Sequence, residues 1–196
     1  MHIITRLCVI TTLGAALSGC AAVVVGGVAT GVAVAHDRRT TGTVVDDKEI
    51  TVQAIRLRAG DPEIRQHSNI TITTYNLKVL LTGQAESAAI SQRLADRIAQ
   101  LPRVAHVYNE VQVGAEATWS DSAGDAYLTS KVKLALFEVK LDGFDPLRVK
   151  VTSADGTVYL MGLLTTQEAE AVTEKVRYLS GVKKVVRLFE YVQPDA

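Results

Sequence analysis

An internal repeat constrains this chain most: a pattern running from about Asp47 to Gly114 returns from about Asp125 to Gln193. Val79-Leu80-Leu81-Thr82-Gly83 aligns with Val158-Tyr159-Leu160-Met161-Gly162. Leu101-Pro102-Arg103-Val104-Ala105-His106-Val107 aligns with Leu179-Ser180-Gly181-Val182-Lys183-Lys184-Val185. Each copy opens with apolar residues at helical spacing, Ile50, Ala54 and Leu57 in one and Leu128, Val132, Ala135 and Val139 in the other. Two short alternating strands follow. In the first copy they flank a turn at Tyr75-Asn76, and in the second a turn at Asp155-Gly156, a pair that tolerates the positive φ of a tight hairpin. A second helix carries the stripe Ile90, Leu94, Ile98, Leu101, matched by Ala169, Val172, Val176, Leu179. Thr165 and Glu168 have the spacing of a capping box, Pro102 stops the earlier helix, and Gly181 suits a left-handed residue past the end of the later one. Strands over Val104–Val113 and Val182–Val192 close the copies.

The order is therefore α-β-β-α-β, twice. The fold class is α/β in the α+β sense: two tandem units, each a three-stranded mixed sheet covered by two helices. The β-α-β part is a right-handed crossover placing a parallel strand beside the antiparallel hairpin. The predicted boundaries are 47–115 and 125–193, with a linker over 116–124 and units of roughly 65–70 residues, small but able to fold alone. Gly83 and Gly162 are expected to end a strand where the chain turns into the helix.

The amino-terminal segment has a different purpose. Arg6 precedes a nearly unbroken apolar run from Leu7 to Leu17, with small residues gathering toward its end. This is the charged region, short apolar region and small-residue cleavage site of a secretory signal, at roughly 11 residues well short of the roughly 20 that span a bilayer. Leu17-Ser18-Gly19-Cys20 resembles the lipobox of bacterial lipoproteins. That resemblance implies a signal peptide over 1–19, diacylglyceryl modification of Cys20, cleavage before it and acylation of the new amino terminus. An ordinary signal peptide followed by a chance cysteine is the alternative. Ala21 behind Cys20, where retention at the inner membrane would call for Asp, implies export to the outer membrane. Residues 20–46, apolar and glycine-punctuated to Ala35 and polar from His36, read as a lipidated tether. Cys8 leaves with the signal, so Cys20 remains as the sole cysteine and no disulfide can form within the mature chain. The whole chain holds 21 basic and 21 acidic residues, a balance that does not suit a nucleic-acid binder.

The Val-x-Leu-x-Gly strand, the helix closing in Gly-Val-x-x-Val and the α-β-β-α-β order look like the BON domain. Two copies behind a lipobox, with Asp37-Arg38-Arg39-Thr40 before the first and Val158-Tyr159-Leu160-Met161-Gly162-Leu163 in the second, resemble the dual BON-domain outer-membrane lipoproteins of Gram-negative bacteria. The resemblance implies a protein facing the periplasm, associated with envelope integrity and stress, binding anionic phospholipid through the second domain and linked to the division site.

Comparing the copies supplies an argument of its own. Off the core stripe, the first helix of copy one shows Glu49, Gln53, Arg56 and Ala59, which reads as a solvated face. The matching positions of copy two are Tyr127, Lys131, Leu134 and Phe137, flanked by Lys133 and Lys140. Apolar side chains interleaved with lysines suit an anionic, phosphatidylglycerol-like membrane surface. The competing reading packs Leu134 and Phe137 against the first domain, since exposed apolar patches serve protein interfaces equally well. Relatives often carry Trp at the position of Tyr127. Trp119 is read as wedged between the domains in preference to a displaced anchor.

Other chemistry is thin. His36, His67 and His106 lack ligand spacing, Asp142, Asp145 and Asp155 lack the alternation of a calcium loop, and no serine or threonine sits in a nucleophile elbow. No catalytic residue, metal site or cofactor is expected. The sequence reading is a lipid-anchored protein that recognises phospholipid. The rival is a periplasmic adaptor for outer-membrane assembly or division-site proteins.

Overall fold

Helix-forming stretches, each with a buried stripe, alternate with strands whose two faces are both apolar, and this pattern generates the architecture. The structure is a computed structural model that describes residues 37–114 and 119–193. Cys20, the tether to Ala35 and His36 lie outside the described residues, and so does the side chain of Trp119. The first unit comprises helix α1 (Thr41–Gly60), a short helix α2 (Pro62–Gln66), strands β1 (Ser68–Tyr75) and β2 (Lys78–Ala85), helix α3 (Ala88–Ala99) and strand β3 (His106–Val113). The second comprises helix α4 (Trp119–Leu136), a 3-10 turn (Pro146–Arg148), strands β4 (Lys150–Ala154) and β5 (Thr157–Leu164), helix α5 (Thr166–Arg177) and strand β6 (Lys184–Tyr191). Each sheet is three-stranded, with its hairpin antiparallel and the strand after the crossover helix parallel, in the expected order.

Several local features follow from the residues that signalled them. Thr165 accepts from the Glu168 amide at 3.2 Å, and Glu168 accepts from the Thr165 amide at 2.7 Å, so the capping box is complete. Asp155 and Gly156 both take positive φ in the second hairpin, and Gly181 does so after α5. Arg103 takes the position equivalent to Gly181 with φ 68. In the first hairpin the turn residues are Asn76 and Leu77, one step later than expected. Leu77 at φ 64 is costly for a branched side chain. Buried Asp47 of α1 compensates by accepting from the Asn76 amide at 2.8 Å and the Leu77 amide at 2.7 Å.

The period-2 alternation of the strands separates three cores. Ile70, Val79 and Leu81 face α1 and α3. Val151, Val158 and Leu160 face α4 and α5. The alternate residues, Tyr75, Leu80, Ala154, Tyr159 and Met161, form a third core in which the two sheets pack on each other, completed by Tyr108, Leu163, Val186 and Leu188. The layers run helix, sheet, sheet, helix. Burial, with Glu110 nearby, pushes the Tyr159 phenol up to about 12. Polar contacts ring this seam. Thr73 and Thr152 hydroxyls lie 3.1 Å apart, Tyr75 donates to the Arg148 carbonyl at 3.4 Å, and Glu190 accepts from Asn76 at 2.9 Å and pairs with Lys78 at 3.0 Å.

The structure corrects four readings. The stretch from Asp37 is not tether: α1 starts at Thr41, capped by Thr40, and the residues before it clasp both units. Arg39 pairs with Asp47 at 2.6 Å and stacks 4.0 Å from the centre of the Tyr75 ring. Arg38 donates to the Leu163 carbonyl at 3.0 Å and pairs with Glu168 at 2.5 Å. Helix α4 begins at Trp119, inside the stretch read as linker, because Ser, Asp and Ala there are compatible with helix and Gly124 alone does not break it. The face of α1 read as solvated carries exposed Val45, Val52 and Ile55 besides its polar residues. Gly83 and Gly162 sit within β2 and β5 rather than at their ends, and both make room for a neighbouring backbone. A Cβ on Gly83, whose φ is +108, would lie 2.1 Å from the Asn69 carbonyl oxygen, and one on Gly162 would lie 2.9 Å from that of Arg148.

Two outcomes are expected from these contacts in urea unfolding of residues 37–196, a fragment that contains all three cores. Gly83→Ala, which combines a strained φ with a backbone clash, should cost at least about 2 kcal/mol, and Gly162→Ala clearly less. Burial alone would raise the Glu168 carboxyl, but the Arg38 side chain and the Thr165 amide override it and hold the group below its usual range. Its contribution is therefore complete above a pH of about 4.5 and is lost as pH falls through the lower folded value. Glu168→Gln should cost about 3 kcal/mol at pH 7, because it takes the carboxylate from Arg38 and from Arg148, which pairs with it at 3.2 Å, and should flatten the loss of stability between pH 5 and 3. Equal acid sensitivity in the two proteins would contradict this account.

Candidate functional site

Helix α4 is apolar on two opposite faces, which a helix packed on one side only does not require. Its inner stripe, Leu128, Val132, Ala135 and Leu136, closes the core of the second unit. Its outer row runs through Tyr127, Leu134 and on to Phe137 just past its end, 71%, 70% and 66% exposed. The spacing places these three along one side of the helix over about 15 Å. Leu134 and Phe137 therefore do not pack against the first unit. The surface that the sequence singled out faces solvent.

The predicted lysines divide by environment. Lys131 flanks the row on one side, and its ammonium donates to the Ser180 carbonyl at 2.8 Å, tying α4 to the loop after α5. Lys133 flanks the other side and is exposed. Lys140 lies beyond the helix end, exposed, in a shallow groove it shares with Glu138, Lys175 and Tyr178. Glu138 pairs with Lys175 at 2.6 Å, and that hydrogen bond lowers its carboxyl below the usual range. The negative charge of Glu138, next to Phe137 in the chain, is thereby balanced within the protein. Lys133 and Lys140 have no ion pair among the described residues.

Sequence reasoning missed Tyr178, 71% exposed at the end of α5 in the groove with Lys140, with the Arg177 guanidinium 4.9 Å from its ring centre. The signal was present: Tyr178 directly precedes Leu179, the last residue of the core stripe, and so falls off that stripe. Leu147, 65% exposed in the 3-10 turn, carried no such signal. The residues set aside as bland occupy ordinary places. His67 meets Glu86 at 2.9 Å on the surface, His106 packs edge-on to Tyr108, Asp145 caps the 3-10 turn and Asp155 forms its hairpin. Among the described residues there is no group of His, Cys, Asp and Glu that could hold a metal ion, and no helix is long and apolar enough to cross a membrane.

Comparison with known proteins places this architecture. The BON domain family matches residues 42–115 and again 124–193. The chain is 34% identical over 177 residues to the outer membrane lipoprotein DolP of Haemophilus influenzae, covering 90% of each chain. It is 32% identical over 160 residues to a 21 kDa hemolysin of Actinobacillus pleuropneumoniae, covering 80% of each. Among solved structures, the C-terminal domain of CdsD from the type III secretion system of Chlamydia trachomatis is similar over 75% of this chain and 67% of its own, at 14% identity and a TM-score of 0.29, too low to bear on architecture. With two matched BON domains and a relative of this likeness over nearly its full length, the chain belongs to the dual BON-domain outer-membrane lipoprotein family.

Proposed function

We propose that this protein, anchored in the outer membrane through acylated Cys20 and facing the periplasm, binds anionic phospholipid through the outer row of α4 and in doing so supports the integrity of the outer membrane. The observation carrying this reading is the exposure of Tyr127, Leu134 and Phe137 in one row, with Lys133 and Lys140 beside it and Glu138 paired with Lys175. Apolar side chains of that row can enter the headgroup boundary while the lysines meet anionic headgroups. A fully buried Leu or Phe contributes about 1.5–3 kcal/mol and a lysine near an anionic surface about 1 kcal/mol, so partial insertion gives weak, reversible contact. Tethering makes weak contact sufficient, because an acylated amino terminus keeps the helix at high local concentration beside the bilayer. The chemistry is recognition, with no reaction.

The same row could instead dock on a protein of the assembly or division machinery, and the two readings differ in lipid selectivity. The fragment 37–196, which retains Arg38 and Arg39, should float with phosphatidylglycerol-containing vesicles, less with phosphatidylcholine vesicles, and less again in high salt. Leu134→Glu with Phe137→Glu should abolish flotation while leaving the unfolding free energy from urea titration within about 0.5 kcal/mol, since both side chains are already in water. Flotation that the double substitution leaves unchanged would exclude this face. Absence of any anionic preference would favour the adaptor.

A further inference from the structure

We infer a second site, apart from the outer row of α4: an anion-binding cleft between the two BON domains that takes a phosphate monoester or diester on Lys48 and Lys150. The cleft has a volume of about 440 Å³ and is walled by α1 on one side and by β1 and the start of β4 on the other. Lys48 and Lys150 come from different domains and reach it from opposite walls. Neither ammonium has an ion pair or hydrogen bond among the described residues. Lys133 of α4 adds a third positive charge near Lys150.

The one carboxylate lining the cleft, Asp47, makes no hydrogen bond to either lysine. Both oxygens of Asp47 are engaged, one by the Leu77 amide and the other by the Asn76 amide and the Arg39 guanidinium. Arg39, also at the wall, is held between Asp37 and Asp47. Positive charge is therefore in excess, on the two groups free to move. Burial, followed by the charges of Lys133 and Arg39, pushes the Lys150 ammonium below the usual lysine range, a penalty that a bound anion would remove.

The threonines beside the lysines supply one neutral donor. The Thr51 hydroxyl gives its one proton to the Asp47 carbonyl at 2.8 Å, so the Thr74 hydroxyl 2.9 Å away donates to Thr51 and has none left for a ligand. The Thr73 and Thr152 hydroxyls share one hydrogen bond between two protons, so one donor remains at the seam. Two ammonium groups with a hydroxyl donor, set in a wall that also carries Val44, Val52 and Ile72, match the several acceptor oxygens of a phosphate group. A carboxylate would use fewer of them. Because the lysines belong to different domains, a bound anion also bridges the domains.

The mature acylated protein in non-ionic detergent provides the test, read by amide chemical shifts. Inorganic phosphate should shift Lys48, Thr74 and Lys150 and leave Leu134 and Phe137 in place. Lys48→Ala and Lys150→Ala should each weaken binding by about ten-fold, and the Leu134→Glu with Phe137→Glu protein should bind phosphate as before, so this result does not depend on the α4 reading. Phosphatidylglycerol in mixed micelles separates the sources. If it shifts the same three amides with the same dependence on Lys150, the ligand is a lipid headgroup. If inorganic phosphate alone does so, the ligand is a soluble phosphate ester. No localised shift with either probe, or shifts unaffected by both lysine substitutions, would overturn the inference.

Discussion

Everything in this structure depends on how a three-stranded sheet with two apolar faces keeps both out of water. Helices cover one face of each sheet, as the repeat requires. The other face, carrying Tyr75 and Leu80 in one domain and Tyr159 and Met161 in the other, is covered by its counterpart. Sheet-on-sheet packing of this kind buries side chains from both partners in one layer. It turns two small domains, each with limited capacity to bury surface alone, into one cooperative body. Burial of Tyr75 also shapes the polar ring, because a buried phenol favours a hydrogen-bond partner. Tyr75 supplies itself with two, the Arg148 carbonyl and the Leu163 amide, both from the other domain.

The segment before α1 reinforces that seam electrostatically. Arg38 binds the second domain through Glu168 and Leu163, while the next residue, Arg39, binds the first through Asp47 and Tyr75. Consecutive residues therefore hold consecutive domains. The ion pairs are largely shielded from water, so each charge depends on its partner far more than a surface pair would. Asp47 joins this clasp to the first hairpin, where it stabilises a leucine in a conformation leucine avoids.

With the sheets occupied by each other and the inner helix faces by their cores, the outer helix surfaces and the clefts along the seam are left for ligands. The outer row of α4 and the lysine-lined cleft differ in chemistry. One is an apolar ridge with cations beside it, suited to a surface. The other is a recess with two ammonium groups and a hydroxyl donor, suited to a discrete anion. Lys133 flanks the first and contributes its field to the second.

Much of this was legible in the residues. Helical spacing, Asp155-Gly156, the Thr165–Glu168 box and the repeat determined element type, order and pairing, because these signals are local: each depends on backbone preference and on which side of one element is apolar. The exposed row of α4 was legible for the same reason, since Leu128 and Val132 fix the inner side and Tyr127 and Leu134 then must point away. The sheet seam left a trace in the unbroken apolar run of β5, Val158 to Leu164, which a strand covered on one face would not need. That trace tells that a second face is buried but not what buries it.

What the sequence by itself determined is the α-β-β-α-β unit, its duplication and the apolar outer surface of α4. Only the tertiary structure decided that the sheets face each other, that Arg38 and Arg39 form a clasp instead of a tether, that Gly83 and Gly162 admit a neighbouring backbone, and that Lys48 meets Lys150 across a cleft. The reason is physical. Periodicity reports contacts made within a few residues, whereas a charge pair such as Arg38 and Glu168, or two lysines lining one recess, has no spacing in sequence and exists only once both domains have packed.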